Sequence, residues 1–202
     1  MDIRPMLDSD IEPISRIVLE TWELGAYGEE IGYPSSECYV RSCYGGCTFS
    51  YSAVVDGEVV GCIICNTGSD MAGNEENARI TEQCYSEISG LPGFSTFRSD
   101  IEIMEEGNRE MRERSCIDFD GQIVLFIVSG NCRGHGYGRA LYEKAIDEMA
   151  AMGCRGILIQ TDSDCGYSFY DKDGCDRVCE KNVRIAFEDL HMMLYVKNII
   201  TE

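Results

Sequence analysis

The sequence predicts a mixed α/β domain, and three patterns indicate it. Residues 124–128 form an apolar strand that runs through a glycine-rich turn directly into a helix over residues 139–152. A second apolar run follows at residues 156–161 and is typical of a buried strand. Upstream, apolar and polar side chains alternate over residues 49–65 on both sides of Asp56-Gly57, which is a strong signal for a two-residue hairpin.

The two ends of the chain add further elements. Residues 2–6 are predicted to form a short strand, and residues 192–196 the last strand. Asp8 or Ser9 can cap a first helix with apolar residues at helical spacing. The stretch after that helix is interrupted by glycine, proline and serine, so only a short helix over residues 37–44 is expected there.

The glycine-rich turn is predicted to bind phosphate. Gly134, Gly136 and Gly138 remove side chains, so backbone N–H groups can converge on an anion at the N-terminus of the helix. The nucleotide-hydrolase loop is excluded because no Lys-Ser or Lys-Thr pair follows these glycines. The dinucleotide fingerprint G-x-G-x-x-G also fits poorly, since the glycines alternate and the strand lies late in the chain.

The turn resembles a signature of the GNAT superfamily of N-acetyltransferases. That signature reads Arg/Gln-x-x-Gly-x-Gly/Ala, and Arg133, Gly136 and Gly138 stand at its three specified positions. In that family, the amides of the loop hold the pyrophosphate of acetyl-coenzyme A. A generic strand-to-helix turn would contain a similar glycine triplet, so a second match is needed.

A second motif lies at the expected distance downstream. Phe169, Tyr170 and Gly174 stand where the family's A-x-x-F-Y-x-x-x-G-F element has them, whereas Gly166 and Cys175 replace the usual alanine and phenylalanine. Two motifs in the correct order and spacing identify the chain as resembling the GNAT superfamily. The resemblance is detailed over residues 121–175 and coarse elsewhere.

The resemblance implies a GNAT fold, in which helices flank a twisted, mixed and mostly antiparallel sheet of about six to seven strands. We therefore expect one domain over residues 1–202, with a helical insertion at residues 67–117 between the third and fourth strands. Residues 77–88 and 99–114 have helical patterns there, so we predict an inserted helical hairpin. It could cover the acceptor site, form a homodimer contact or be a solvated adornment.

The resemblance also implies a function, the transfer of an acetyl group from acetyl-CoA to a primary amine of a small molecule or peptide. The main chain of the splayed central strand would bind the pantetheine arm of the cosubstrate. The coenzyme-binding residues that the resemblance implies are Ile127, Val128, Ser129, Arg133, Gly134, His135, Gly136, Tyr137, Gly138, Arg139 and Tyr167.

Tyr170 is the candidate general acid. A phenol with an ordinary pKa of about 10 can protonate a thiolate of comparable basicity, although an aromatic ring packed beneath the coenzyme would have the same sequence. No general base is evident, because Gln122 occupies the position where several family members have a glutamate or a histidine. Asp118 and Asp120 could act through water. A chain that binds acyl-coenzyme A without turnover, as a sensor or interaction module, is the alternative function.

Composition limits the partners. The 17 Lys and Arg residues face 36 Asp and Glu, a net charge of -19, which argues against nucleic acid or an anionic membrane as partner. An acidic field favours a cationic acceptor, although acidity can equally serve solubility. We expect a cytoplasmic protein, because the sequence has neither a secretory leader nor an apolar run of membrane-spanning length.

The twelve cysteines do not have the spacing of a metal site. Cys62 and Cys65 lie in one predicted strand, where residues three apart face opposite sides, and the sequence has no second C-x-x-C pair. We interpret the cysteines as reduced, small buried hydrophobes and expect no metal.

Overall fold

Within residues 1–68 and 75–199, which this computed structural model describes, seven strands form one sheet, and there are six α-helices, five of which pack on the sheet. Residues 69–74 of the predicted insertion 67–117 lie outside the described residues, as do residues 200–202. The strands are β1 (Asp2–Pro5), β2 (Phe49–Val55), β3 (Glu58–Thr67), β4 (Gly121–Val128), β5 (Gly156–Asp162), β6 (Asp176–Arg184) and β7 (Asp189–Asn198). The helices are α1 (Ile11–Thr21), α2 (Glu29–Tyr44), α3 (Glu75–Ile88), α4 (Phe94–Ser115), α5 (Tyr137–Ala151) and α6 (Ser168–Lys172).

The sheet is mixed and mostly antiparallel, as predicted. Its spatial order is β1-β2-β3-β4-β5-β7-β6, and only β4 and β5 pair in parallel. The predicted hairpin is confirmed, because β2 and β3 are joined at Asp56 and Gly57. The parallel pair needs a crossover, and α5 supplies it.

Helix α2 is longer than the predicted segment 37–44. The serines that were expected to interrupt the helix fit into it, because the side chains of Ser35 and Ser36 donate hydrogen bonds to the carbonyls of Gly32 and Tyr33, at 2.9 and 2.7 Å. Both serines are fully buried, so tertiary packing outweighs their weak helix propensity.

The predicted helical insertion is confirmed in α3 and α4, and the two helices pack on different elements. Helix α3 lies on α2, whereas α4 lies across β6 and β7 and buries Phe97 and Met111. The two helices meet near their connection, where the rings of Tyr85 and Phe94 are 6.1 Å apart. The insertion is therefore part of the core rather than a solvated adornment. Among the described residues, no helix has the length and apolar character that crossing a membrane requires.

The sheet has a separate apolar core on each face. On the first face, α1 and α2 pack over β3 and the second half of β4, and α4 packs over β5 and β7. On the second face, α5 and α6 cover the middle of the sheet. Cys62 contributes to the first face and Cys65 to the second, as predicted. All twelve cysteines are free thiols, and seven of them are buried.

A β-bulge in β4 divides this strand into two halves. Leu125 pairs with Ile64 and Ile123 with Cys65, so Val124 is one extra residue without a partner in β3. The extra residue turns Ile123 to the second face and Leu125 to the first. Pairing between β4 and β5 also ends here, at Ile123 and Ile159. Beyond the bulge, the two parallel strands diverge and leave a gap in the sheet.

The close approach of β3 to β4 next to this gap depends on Gly61. A Cβ at Gly61 would lie 2.5 Å from the carbonyl oxygen of Ile127, a backbone atom that cannot move without breaking the strand pair. We expect Gly61→Ala to lower the free energy of unfolding by about 2 kcal/mol, measured by urea denaturation. Gly90→Ala is the control, because a Cβ there meets no atom within 4 Å. Its effect should stay within about 0.5 kcal/mol, and equal losses in both variants would contradict the steric argument.

Candidate active site

The gap between β4 and β5 exposes backbone polar groups of β4. Ser129 donates its N–H to the carbonyl of Val60 on β3 at 2.8 Å, and Ile127 directs its carbonyl to Gly61 on the same strand. Because backbone groups alternate along a strand, those of Phe126 and Val128 face the gap. Sequence reasoning assigned the contact to Ile127 and Val128. In the structure the backbone groups of Ile127 face β3, whereas those of Phe126, which the sequence analysis did not name, face the gap.

The glycine-rich turn lies at the end of β4, where the gap opens. Gly134 and Gly136 have φ values of +80° and +84°, a left-handed conformation that favours glycine. Gly136 caps α5, and Ala140 is the first residue whose N–H bonds back to its carbonyl, at 3.0 Å. The N–H groups of Tyr137, Gly138 and Arg139 precede that bond, so they point out of the helix end. This end of α5 is suited to an anion.

The side chains around the turn differ in the groups that they contact. Arg133 is exposed, with its Nε 3.5 Å from the Val128 carbonyl oxygen, and the His135 ring stacks on Tyr137 with centroids 5.7 Å apart. Arg139 instead forms an ion pair with Asp173 on the α6 side, and its guanidinium lies 4.6 Å from the Phe169 ring centroid. Of the predicted coenzyme-binding residues, Arg133 and His135 therefore have exposed side chains in the turn itself.

Tyr170 lies in α6 on the second face, within the core that α5 covers. Its ring is 5.6 Å from that of Tyr195 and 5.5 Å from that of Phe169. Burial raises the pKa of the Tyr170 phenol well above its usual value, so the hydroxyl keeps its proton at neutral pH. Tyr167 is half-buried one turn earlier, with the Arg177 guanidinium 5.6 Å from its ring centroid.

On the other side of the gap, several acidic side chains approach one another. Asp162 ends β5, and burial raises the pKa of its carboxyl. Glu188, in the turn between β6 and β7, also has a raised pKa, because of burial and then the nearby carboxylates of Asp164, Asp162 and Glu23. Sequence reasoning singled out none of these residues. They come from three separate segments, so only the fold brings them together.

Aromatic rings accompany these acids on the first face. Trp22 packs edge-to-face on Tyr39, with ring centroids 5.0 Å apart. Cys165 lies against the Trp22 indole and the Asp162 carboxylate, and its thiol has a pKa that burial raises to about 12. This side of the gap therefore combines carboxylates with aromatic faces, a combination that attracts cations.

The base candidates named from the sequence lie elsewhere. Asp120 accepts the N–H groups of Arg155 and Gly156, at 2.7 and 3.0 Å, so it holds together the paired ends of β4 and β5. Burial alone would raise the pKa of Asp120, but these hydrogen bonds lower it overall. Asp118 is exposed beside it, and the Gln122 amide donates to Gln160 Oε1 at 3.3 Å.

Three comparisons with known proteins bear on this arrangement. A sequence profile described as Acetyltransferase (GNAT) family matches residues 110–174. No curated protein sequence matches the chain. Solved structures match it in 234 chains, and three of these are described next.

The three structures cover nearly the whole chain at low sequence identity. A GCN5-related N-acetyltransferase from Rhodopseudomonas palustris has a TM-score of 0.58 and 16% identity over 98% of this chain and 95% of its own. Ribosomal-protein-alanine N-acetyltransferase from Brucella melitensis has a TM-score of 0.55 and 15% identity over 98% and 100%. NAA60 from Arabidopsis thaliana, in complex with a bisubstrate analogue, has a TM-score of 0.58 and 16% identity over 98% and 97%. At these identities the likeness shows the fold.

The raised pKa of Asp162 has a consequence for stability. A carboxyl whose pKa is higher in the folded than in the unfolded state costs stability once it ionises, and this cost grows as the pH rises through the two pKa values. Asp162→Asn removes the charge and keeps an oxygen that can accept the Asp164 N–H, 3.0 Å away. We expect the variant to melt at a higher temperature than the wild type at pH 7. The gain should vanish at about pH 3, where Asp162 is neutral in both states, and an equal gain at both pH values would contradict this account.

Proposed function

We propose that this chain, whose residues 110–174 match the GNAT family profile, is an N-acetyltransferase. It would move an acetyl group from acetyl-CoA to a primary amine that carries positive charge. One observation carries the proposal. The gap between β4 and β5 has the glycine-rich turn and the N-terminus of α5 on one side and converging carboxylates on the other, so one opening suits a pyrophosphate ester and an ammonium group at once.

On the coenzyme side, we assign the pyrophosphate to the backbone N–H groups from Gly134 to Arg139, with Arg133 and His135 adding side-chain donors. The helix end and an exposed guanidinium favour a dianionic group, and two glycines leave room for it. The gap-facing backbone of Phe126 and Val128 would bond the pantetheine arm, since these groups are free of β5. Tyr167 and Tyr137 would contact its apolar parts.

The transfer requires balanced proton movements. The amine nitrogen forms a bond to the thioester carbon, the carbon–sulfur bond breaks, and the departing sulfur takes a proton. Tyr170 is our candidate donor of that proton, because it stands at the tyrosine position of the F-Y motif and its phenol carries a proton at neutral pH. The gap-facing N–H of β4 would stabilise the negative charge that develops on the thioester oxygen.

The acceptor side supplies the other half of the chemistry. Carboxylates of Glu188, Asp164 and Glu23 would attract an ammonium form of the acceptor. Burial enhances the proton affinity of Asp162 as it does that of Glu188, and Asp162 ends β5 at the gap, which suits it to receive the amine proton directly or through water. We therefore propose polyamines, basic amino compounds and basic peptide termini as the acceptor class.

A matched pair of glycine variants tests the coenzyme assignment. Gly136 and Gly57 share a positive φ, +84° and +88°, and a Cβ at either would meet no atom within 4 Å. Alanine at either position should therefore cost a similar conformational penalty of about 1 kcal/mol. Only Gly136→Ala should weaken acetyl-CoA binding, by about tenfold or more in a calorimetric titration, because only its methyl group faces the proposed pyrophosphate. Equal affinities in the two variants would refute the assignment.

A second pair of variants tests the acid role of Tyr170. Tyr170→Phe should lower kcat by about 100-fold or more with little change in the Kd for acetyl-CoA, measured by thiol release with a panel of spermidine, L-lysine and an alanine-initiated basic peptide. Tyr142→Phe is the control, because Tyr142 is buried in the same core and its hydroxyl contacts Cys175 at 3.5 Å. An unchanged kcat in Tyr170→Phe would remove the acid role. Tight binding of acetyl-CoA by the wild type without turnover of any amine would favour the silent binding module instead.

A further inference from the structure

Asp100 of the inserted helix α4 joins two segments that are distant in sequence. Its Oδ2 accepts the hydroxyl of Tyr27, from the short turn between α1 and α2, at 2.7 Å. Both of its oxygens also accept the N–H of Ala186, from the turn between β6 and β7, at 3.0 and 3.1 Å. Three segments, separated by about eighty residues each along the chain, thus meet at one carboxylate.

This carboxylate is an unusual group for the interior of a protein. Asp100 is only 4% exposed, and ionised side chains are rarely buried without strong hydrogen-bond partners. The Tyr27 hydroxyl and the Ala186 amide fill this role, and burial together with the bond to Asp100 raises the pKa of Tyr27. Because loss of either donor would leave a buried charge poorly solvated, the carboxylate resists separation of the two segments.

Packing reinforces the same junction. The Tyr27 ring meets Phe97 of α4 and Phe187 of the β6–β7 turn edge-to-face, with centroids 5.5 and 5.1 Å apart. Gly93, which begins α4, touches the carbonyl of Tyr27 so closely that a Cβ there would overlap it. The insertion therefore contacts the backbone, the ring and the hydroxyl of one residue.

The two joined segments also carry acidic groups of the acceptor side. Glu188 lies two residues after Ala186, in the same turn, and Glu23 lies four residues before Tyr27. The carboxylate of Glu23 is one of those that raise the pKa of Glu188. Any relative movement of the two segments would change the spacing of these charges and the position of Phe187, which is 54% exposed beside them.

We propose that Asp100 is a positioning residue through which the insertion fixes the acceptor side of the gap, and so the affinity for the acceptor amine. Asp100 acts through Tyr27 and Ala186 and does not itself touch the acceptor. The assignment rests on the proposed acetyltransferase function for its kinetic consequence. The structural part of the proposal, that the Asp100 carboxylate holds two segments together, rests on the observed contacts alone.

The test compares three variants of the full chain with the wild type. Asp100→Asn keeps the shape but presents an amide group to one of the two donors, and Tyr27→Phe removes one hydrogen bond while it keeps both ring contacts. Glu113→Gln is the control, because it removes the same charge from an exposed position of α4. For the panel amine that the wild type acetylates best, we expect KM to rise about tenfold in Asp100→Asn and Tyr27→Phe, with kcat within about twofold and an unchanged Kd for acetyl-CoA. Glu113→Gln should match the wild type.

Hydrogen exchange supplies a readout that needs no acceptor. In Asp100→Asn, the amides of residues 24–28 and 185–188 should exchange faster, whereas those of β4 and α5 should keep wild-type rates. Unchanged exchange, an unchanged KM, or faster exchange throughout the chain would each overturn the proposal. If the wild type turns over no amine, the proposed function fails by itself, and the exchange rates alone decide whether Asp100 is a brace.

Discussion

The extra residue in β4, Val124, is the constraint on which the rest of the site depends. A strand pair that continued past Ile123 and Ile159 would use the backbone groups of β4 for hydrogen bonds within the sheet. The bulge ends that pairing and leaves the groups of Phe126 and Val128 facing a gap. Backbone N–H and C=O groups are costly when they stay unpaired in a protein interior, so the gap favours a ligand with polar atoms along an extended chain. Pantetheine, with two amides, is such a ligand.

The packing of the insertion is also related to this gap. With α1 and α2 packed over β3 and the second half of β4, the strands beyond the gap would have an exposed apolar face on that side. Helix α4 covers this face, where its Met111 packs with Leu158 of β5 and Leu194 of β7. An element that is required for core packing thus also carries the buried carboxylate of Asp100, which holds the two segments that we propose for the acceptor side.

Charge is distributed unevenly around the gap even though the whole chain is strongly acidic. The turn before α5 combines an exposed Arg133 with a helix N-terminus, whereas the opposite side collects carboxylates whose pKa values are raised by burial and mutual repulsion. Concentrating like charges costs folding free energy, and a bound cation would relieve that cost. The net charge of -19 alone could reflect solubility, whereas the local cluster of carboxylates is the part of it that the proposed cationic acceptor would use.

The sequence by itself determined the fold class, the hairpin, the glycine-rich turn into a helix and the helical character of the insertion. Each of these is encoded by residues close together in the chain, through glycine spacing, strand alternation and helical periodicity. The tertiary structure alone decided which backbone groups face the gap, since a one-residue bulge reverses the two faces of a strand without any local signal. It also decided the length of α2, where burial of Ser35 and Ser36 outweighed their propensity. The acceptor side was not predictable, because Glu23, Asp162 and Glu188 meet only after three distant segments pack together.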